Sequence, residues 1–95
     1  MLKLDEEKKK FIEAIGNTSR LKILLVLWKS DKELTVYKIC QRTGLARSAV
    51  ARHLYNLTET GIVSRSVYGE IPLYALNREN SGGQALIDFF HKLRF

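Results

Sequence analysis

Ser48, Arg52, Tyr55 and Glu59 recur at intervals of three or four residues, and Val50, Leu54 and Leu57 repeat the same spacing out of phase with them. At about 100° per residue, this pattern predicts a helix that buries the aliphatic set and exposes the polar one. Ala51 and Asn56 fall at the flanks of the polar face, and Arg47 falls nearer its leading edge. Guanidinium, hydroxyl, phenol and carboxamide groups on one exposed face suit base edges and phosphate oxygens. They do not make a catalytic set. His53, His91 and Cys40 sit on different predicted elements, no Gly-rich phosphate loop is present, and 95 residues leave little room for a deep pocket. An enzyme is not expected, and no cofactor is implied.

Composition bounds the same reading. With 45% hydrophobic residues, the chain can build one modest core and not two, so residues 1–95 are expected to form a single domain. Lys and Arg number 16 against 10 Asp and Glu, and the net charge of +6 favours a polyanionic partner. A single cysteine excludes an internal disulfide, and no cysteine pair or cysteine–histidine cluster offers a structural zinc site. The opening MLKLDEEKKK has no apolar signal core, and no stretch approaches the roughly 20 apolar residues that span a bilayer. A soluble cytoplasmic protein without membrane contact is expected.

The polar-faced helix must be held by other elements. Leu4, Phe11, Ile12 and Ile15 define one face of a first amphipathic helix, over about residues 4–15, that ends at Gly16. Asn17, Thr18 or Ser19 can cap the second, whose run LKILLVLW is apolar on nearly every side and so reads as the central core helix. KSDKE supplies a turn, Leu34 is placed for a very short strand, and Thr35 can cap a third helix with Val36, Ile39, Cys40 and Thr43 inward. Gly44 permits a left-handed helix end, Leu45 plugs the turn, and the polar-faced helix follows over about residues 46–60. Two helices across so tight a turn predict a helix-turn-helix.

After Gly61 the period changes. IVSRSVY shows β-branched enrichment and partial alternation; Tyr68, Gly69 and Glu70 make a turn; and residues 71–76 return as a second strand, with Pro72 suggesting an edge. The hairpin over 62–76 is a wing. In SGGQALIDFFHKLRF, Leu86, Phe89, Phe90 and Leu93 form a helical stripe over about 82–94, widened by Ile87 and Phe95. So many aromatics near the end of a small domain predict an interface and hence a dimer. The fold class is therefore mainly α with a small β-hairpin, a winged helix-turn-helix in the order α-α-α-α-β-β-α.

These residues resemble a known family, the ArsR-type winged helix-turn-helix transcriptional regulators. AIGNTSRLKILLVL (14–27) is similar to the start of the family's second helix, and TGLARSAVARHLYNLTETGIV (43–63) to its recognition segment. The resemblance implies a DNA-binding transcriptional regulator, more often a repressor, that excludes or recruits the transcription machinery. It also implies a homodimer joined through its first and last helices, involving Phe11, Ile15, Leu86, Phe89, Phe90 and Leu93. Two recognition helices would enter successive major grooves of a palindromic double-stranded DNA operator, with half-sites roughly 34 Å apart. The family's contact positions fall on Arg47, Ser48, Ala51 and Arg52. Arg52 is the first choice for a bidentate contact to guanine, and Ser48 suits a base or a phosphate. Tyr55, Lys38 and Thr35 suit phosphates.

Three departures narrow what the resemblance carries. Ala46 stands where a capping Ser or Thr is common. The wing tip lacks a basic cluster, which leaves Arg65 as the wing cation for phosphate, with Arg78 just beyond the hairpin. Thr35 and Tyr37 stand where founding members place two metal-binding cysteines, and Asp88 with His91 falls short of a tetrahedral set, so no metal site is expected. Cys40 reads as a small buried hydrophobe and His53 as a partly buried helix residue. The rival reading is a winged-helix protein-interaction subunit without sequence-specific DNA binding.

Overall fold

The computed structural model describes residues 2–95. Helix α1 (Glu6–Ile15) is capped by Asp5, whose carboxylate accepts from the Lys8 amide at 2.8 Å, and Glu6 and Glu7 complement the positive end of its dipole. Because the cap is Asp5, Leu4 precedes the helix instead of opening it. Helix α2 (Thr18–Lys29) is capped by Asn17, which accepts from the Arg20 amide. Ile23, Leu24 and Leu27 are buried at the centre of the domain, where α2 touches α1, α3, α4, α5 and the hairpin. Leu21, Leu25, Val26 and Trp28 are only half-buried, so the helix is central without being enclosed on every side.

Helices α3 (Val36–Thr43) and α4 (Arg47–Glu59) form the expected helix-turn-helix. Thr35 caps α3 by accepting from the Lys38 amide, and Gly44 ends it at φ 75°, where a Cβ would be strained. Thr43 stiffens the turn: its hydroxyl donates to the Ile39 carbonyl at 2.7 Å and accepts from the Leu45 amide at 3.2 Å. Strands β1 (Val63–Tyr68) and β2 (Ile71–Leu76) pair antiparallel from Val63↔Leu76 to Tyr68↔Ile71. The turn is therefore Gly69-Glu70, with φ 65° at Gly69 alone, as a type II′ hairpin requires. Leu34 adds the very short strand by exchanging two 2.8 Å backbone bonds with Tyr74.

Helix α5 (Ser81–Lys92) is capped by Asn80 and pressed so closely on the preceding loop that a Cβ on Gly83 would lie 2.1 Å from the Asn77 carbonyl oxygen. At its far end Arg94 adopts φ 58°; its amide donates to His91 and the Phe95 amide donates to Phe90, a Schellman-type ending that folds Phe95 back onto Phe90. The aromatic stripe is thereby split. Leu86 and Phe90, expected at an interface, are 3% and 2% exposed in the protomer's own core, Phe90 stacking 5.6 Å from Trp28. Phe89, at 49%, remains outward with Leu93 and Phe95. Phe11 and Ile15 are half-buried against the core, and Ile12 is the more exposed apolar residue of α1.

Candidate nucleic-acid interface

Val50, Leu54 and Leu57 are fully buried, and that anchoring fixes which face α4 turns outward. Arg47, Ser48, Ala51, Arg52 and Tyr55 all lie on the exposed side. The helix is preceded at its N-cap by Ala46, which makes no side-chain cap bond, and its first turn contains no acidic residue. Its leading amides thus point outward at the positive end of the helix dipole, an arrangement that accepts a phosphate oxygen. Supplying the missing cap by Ala46→Ser is expected to raise the unfolding free energy by about 1 kcal/mol. Thermal melts of the two chains read this directly, and equal midpoints would contradict it.

The hairpin supplies the second wall. Arg65 pairs with Tyr74, which is buried, so both face α4, and Ala51, Tyr55, Thr58, Glu59, Arg65 and Tyr74 line a groove between helix and wing. Lys38 is exposed, beside Thr35, in a neighbouring groove that also contains Lys29, Lys32 and Arg42. Sequence reasoning passed over these last three cations, although Lys38 and Arg42 are four apart on α3 and so share a face. Asp31 and Glu33 line the same groove and moderate its charge. The Thr35 hydroxyl accepts from the Lys38 amide at 3.1 Å, leaving its hydrogen to donate outward. Among the described residues the one ion pair is Lys8 with Asp5, so Arg47, Arg52, Lys38 and Arg65 are not neutralised within the chain.

The wing tip has a different character. Val67, Tyr68 and Ile71 are exposed, Tyr68 at 79%, with Glu70 between the strands and no cation. Ser66 donates to the Glu33 carboxylate and ties the strand to the loop before α3.

His53 lies behind the exposed face, 6% accessible, and its Nδ1 accepts from Arg20 Nε at 3.1 Å. That bond requires the neutral ring with its proton on Nε2. Burial, and then the charges of Arg20 and Arg52, hold its pKa below the ordinary 6.5. The folded chain therefore binds fewer protons than the unfolded chain just below pH 6.5. This contribution is fully present above that pH and is lost as pH falls through the depressed folded value. Denaturant unfolding between pH 8 and 5 is expected to show the loss, and His53→Gln to flatten that part of the profile. An identical slope in the variant would remove His53 as its source.

Elsewhere, Cys40 is half-buried with a free thiol, and Tyr37 is exposed. Asp88 accepts from Gln84 at 3.0 Å on the outer side of α5, where His91 is also exposed. Among the described residues no three His, Cys, Asp or Glu side chains converge as metal ligands, and no helix is long and apolar enough to cross a membrane.

A donor-bearing helix, set behind a glycine turn and flanked by a two-stranded wing, defines the winged helix-turn-helix class of DNA-binding protein. The model of the arsR family of bacterial regulatory proteins matches residues 17–65. The chain belongs to that family: it is a DNA-binding transcriptional regulator and not an enzyme. It is 32% identical over 82 residues to the transcriptional activator HlyU of Vibrio cholerae, covering 86% of this chain and 72% of that protein. The solved structure of HlyU matches with a TM-score of 0.78 at 30% identity over 98% of this chain and 97% of that one. The transcriptional repressor PagR of Bacillus anthracis matches with a TM-score of 0.75 at 27% identity, over 90% and 93% of the two chains. Mb0332 from Mycobacterium bovis, a homodimeric winged helix-turn-helix DNA-binding domain, shares the fold with a TM-score of 0.75 at 20% identity, over 99% and 90%.

Proposed function

We propose that the chain acts as a homodimer that binds a palindromic double-stranded DNA operator sequence-specifically and represses transcription. In this reading α4 enters the major groove, Arg52 and Ser48 read base edges, and Arg47 and Ala51 flank them. Tyr55, Thr35, Lys38 and Arg65 hold phosphates, with the wing along the backbone or minor groove. The observation that carries it is the unneutralised donor face of α4 with Arg65 across the groove from Tyr55. The outward Phe89, Leu93 and Phe95 support association of two copies through the terminal helices, since apolar area of this kind is normally covered. HlyU and PagR carry opposite descriptions, activator and repressor. Repression needs only that the bound dimer occupy DNA the transcription machinery requires, whereas activation needs a further contact.

One observation favours a second reading, a winged helix that contacts protein: the wing tip exposes Val67, Tyr68 and Ile71 and carries no cation. Salt separates the two. If each protomer places Lys38 and Arg65 on phosphates, log K for duplex DNA falls against log salt with a slope of about −3.6 or steeper, at about −0.9 per neutralised phosphate. Fluorescence anisotropy on a labelled duplex measures it. A flat dependence would favour the protein-contact reading.

A further inference from the structure

We propose that Arg20 is a positioning residue for the recognition helix, locking α4 to α1 and α2 through a guanidinium fork whose acceptor on α4 is neutral His53. This rests on α4 being the DNA-reading helix and identifies what sets its orientation. The Arg20 amide is held by the Asn17 cap at 3.1 Å, which fixes the base of the side chain at the start of α2. From there Nε donates to His53 Nδ1 at 3.1 Å, and Nη1 donates to the Glu13 carbonyl at 3.2 Å, in the last turn of α1. A cation is favoured at that helix end.

One planar group thus bonds to helices that the chain separates by up to 40 residues. Among the described residues it makes the only side-chain hydrogen bond between α4 and another helix. Beside it stand the apolar contacts of Val50, Leu54 and Leu57, which are non-directional, and the turns at either end, held by Thr43 and Thr60, while Ala46 provides no cap bond. The buried stripe fixes which face α4 turns outward, and the directional Arg20–His53 bond sets the finer rotation of α4 about its axis. His53 adjoins Arg52, so a small rotation carries the base-reading guanidinium with it. Because α1 belongs to the proposed dimer interface, the same fork connects subunit packing to helix placement.

Lysine cannot replace this device, since an ammonium lacks the rigid fork. Nor does the bond survive acid. Protonated at Nδ1, His53 has no lone pair for Arg20 and becomes a third cation beside Arg20 of α2 and Arg52 of α4. Lys10 and Glu13 of α1 and Glu59 of α4 line the groove in which Arg20 lies. A histidine facing DNA would strengthen binding on protonation; this one weakens it.

The test uses the full chain, a duplex that the native protein has selected from genomic fragments, and a scrambled duplex of the same composition. Affinities of native protein, Arg20→Lys, Arg20→Ala and His53→Gln are measured from pH 7.5 downward at constant ionic strength. Arg20→Lys is expected to lose on the order of tenfold in affinity for the selected duplex, the scale of a typical coupling between sites, and nothing for the scrambled one, because its charge is kept. Native affinity for the selected duplex falls as His53 protonates, while His53→Gln, which retains an acceptor, binds at neutral pH and loses that acid dependence. A folded Arg20→Lys that discriminates as well as the native chain overturns the inference alone, as does native binding that strengthens in acid. If the native chain selects no duplex, the DNA reading fails and the inference falls with it.

Discussion

Phe90→Ala is expected to lower the unfolding free energy by about 3–5 kcal/mol, a large part of the roughly 5–15 kcal/mol that holds a domain together. The ring is 2% exposed and is enclosed by Trp28 at 5.6 Å, Phe89 at 5.8 Å and Phe95 at 5.4 Å. Truncation forfeits the transfer free energy of the ring and leaves a cavity that three stiff aromatic neighbours cannot fill. Phe95 is also held to residue 90 by the helix ending, where its amide donates to the Phe90 carbonyl, so the loss spreads to the last turn. Phe89→Ala is the contrast. That ring is half out of the protomer, and its loss is expected to cost little monomer stability while weakening self-association. Denaturant unfolding and sedimentation on both variants separate the effects. A Phe90→Ala chain that keeps its stability but dissociates would return Phe90 to the interface.

Arg52→Ala is expected to weaken binding to the preferred duplex by about 1–3 kcal/mol per half-site, as loss of a bidentate base contact does, with fold and association unchanged. The side chain is exposed at the middle of the face opposite Val50, Leu54 and Leu57, and its replacement leaves no cavity. Salt dependence distinguishes its role. Loss of a base reader relaxes preference at one position with little change in slope, whereas loss of a phosphate contact weakens every sequence alike and lowers the slope by about 1. Unchanged affinity for the preferred duplex would remove Arg52 from the base-reading set.

The helix-turn-helix and the wing were legible in the sequence because both are local. Gly44 and Gly69 mark turns that need positive φ, Thr35 is a cap beside its own helix, and the period changes from helical to alternating after Gly61. Leu34 was readable as a very short strand from the break between two helical periods, but its partner Tyr74, 40 residues later, was not. What escaped depends on distance along the chain. A stripe of Leu86, Phe89, Phe90 and Leu93 defines a face, but not whether Trp28 or another subunit covers it. His53 read as partly buried, while its partner Arg20 lies 33 residues earlier and nothing in their spacing links them. The left-handed ending at Arg94 was hidden because arginine stands where glycine usually signals it. The exposed donor face of α4 was readable from spacing alone; the groove it shares with Arg65 required the register of the hairpin.

The measurement that bears most directly on the central claim is selection of bound fragments from sheared genomic DNA at moderate salt, followed by sequencing, with Arg52→Ala carried alongside. A two-fold symmetric motif recovered by the native chain and blurred in the variant is the predicted result. Failure of the native chain to enrich any motif, while it remains folded and associated, would contradict sequence-specific recognition through α4.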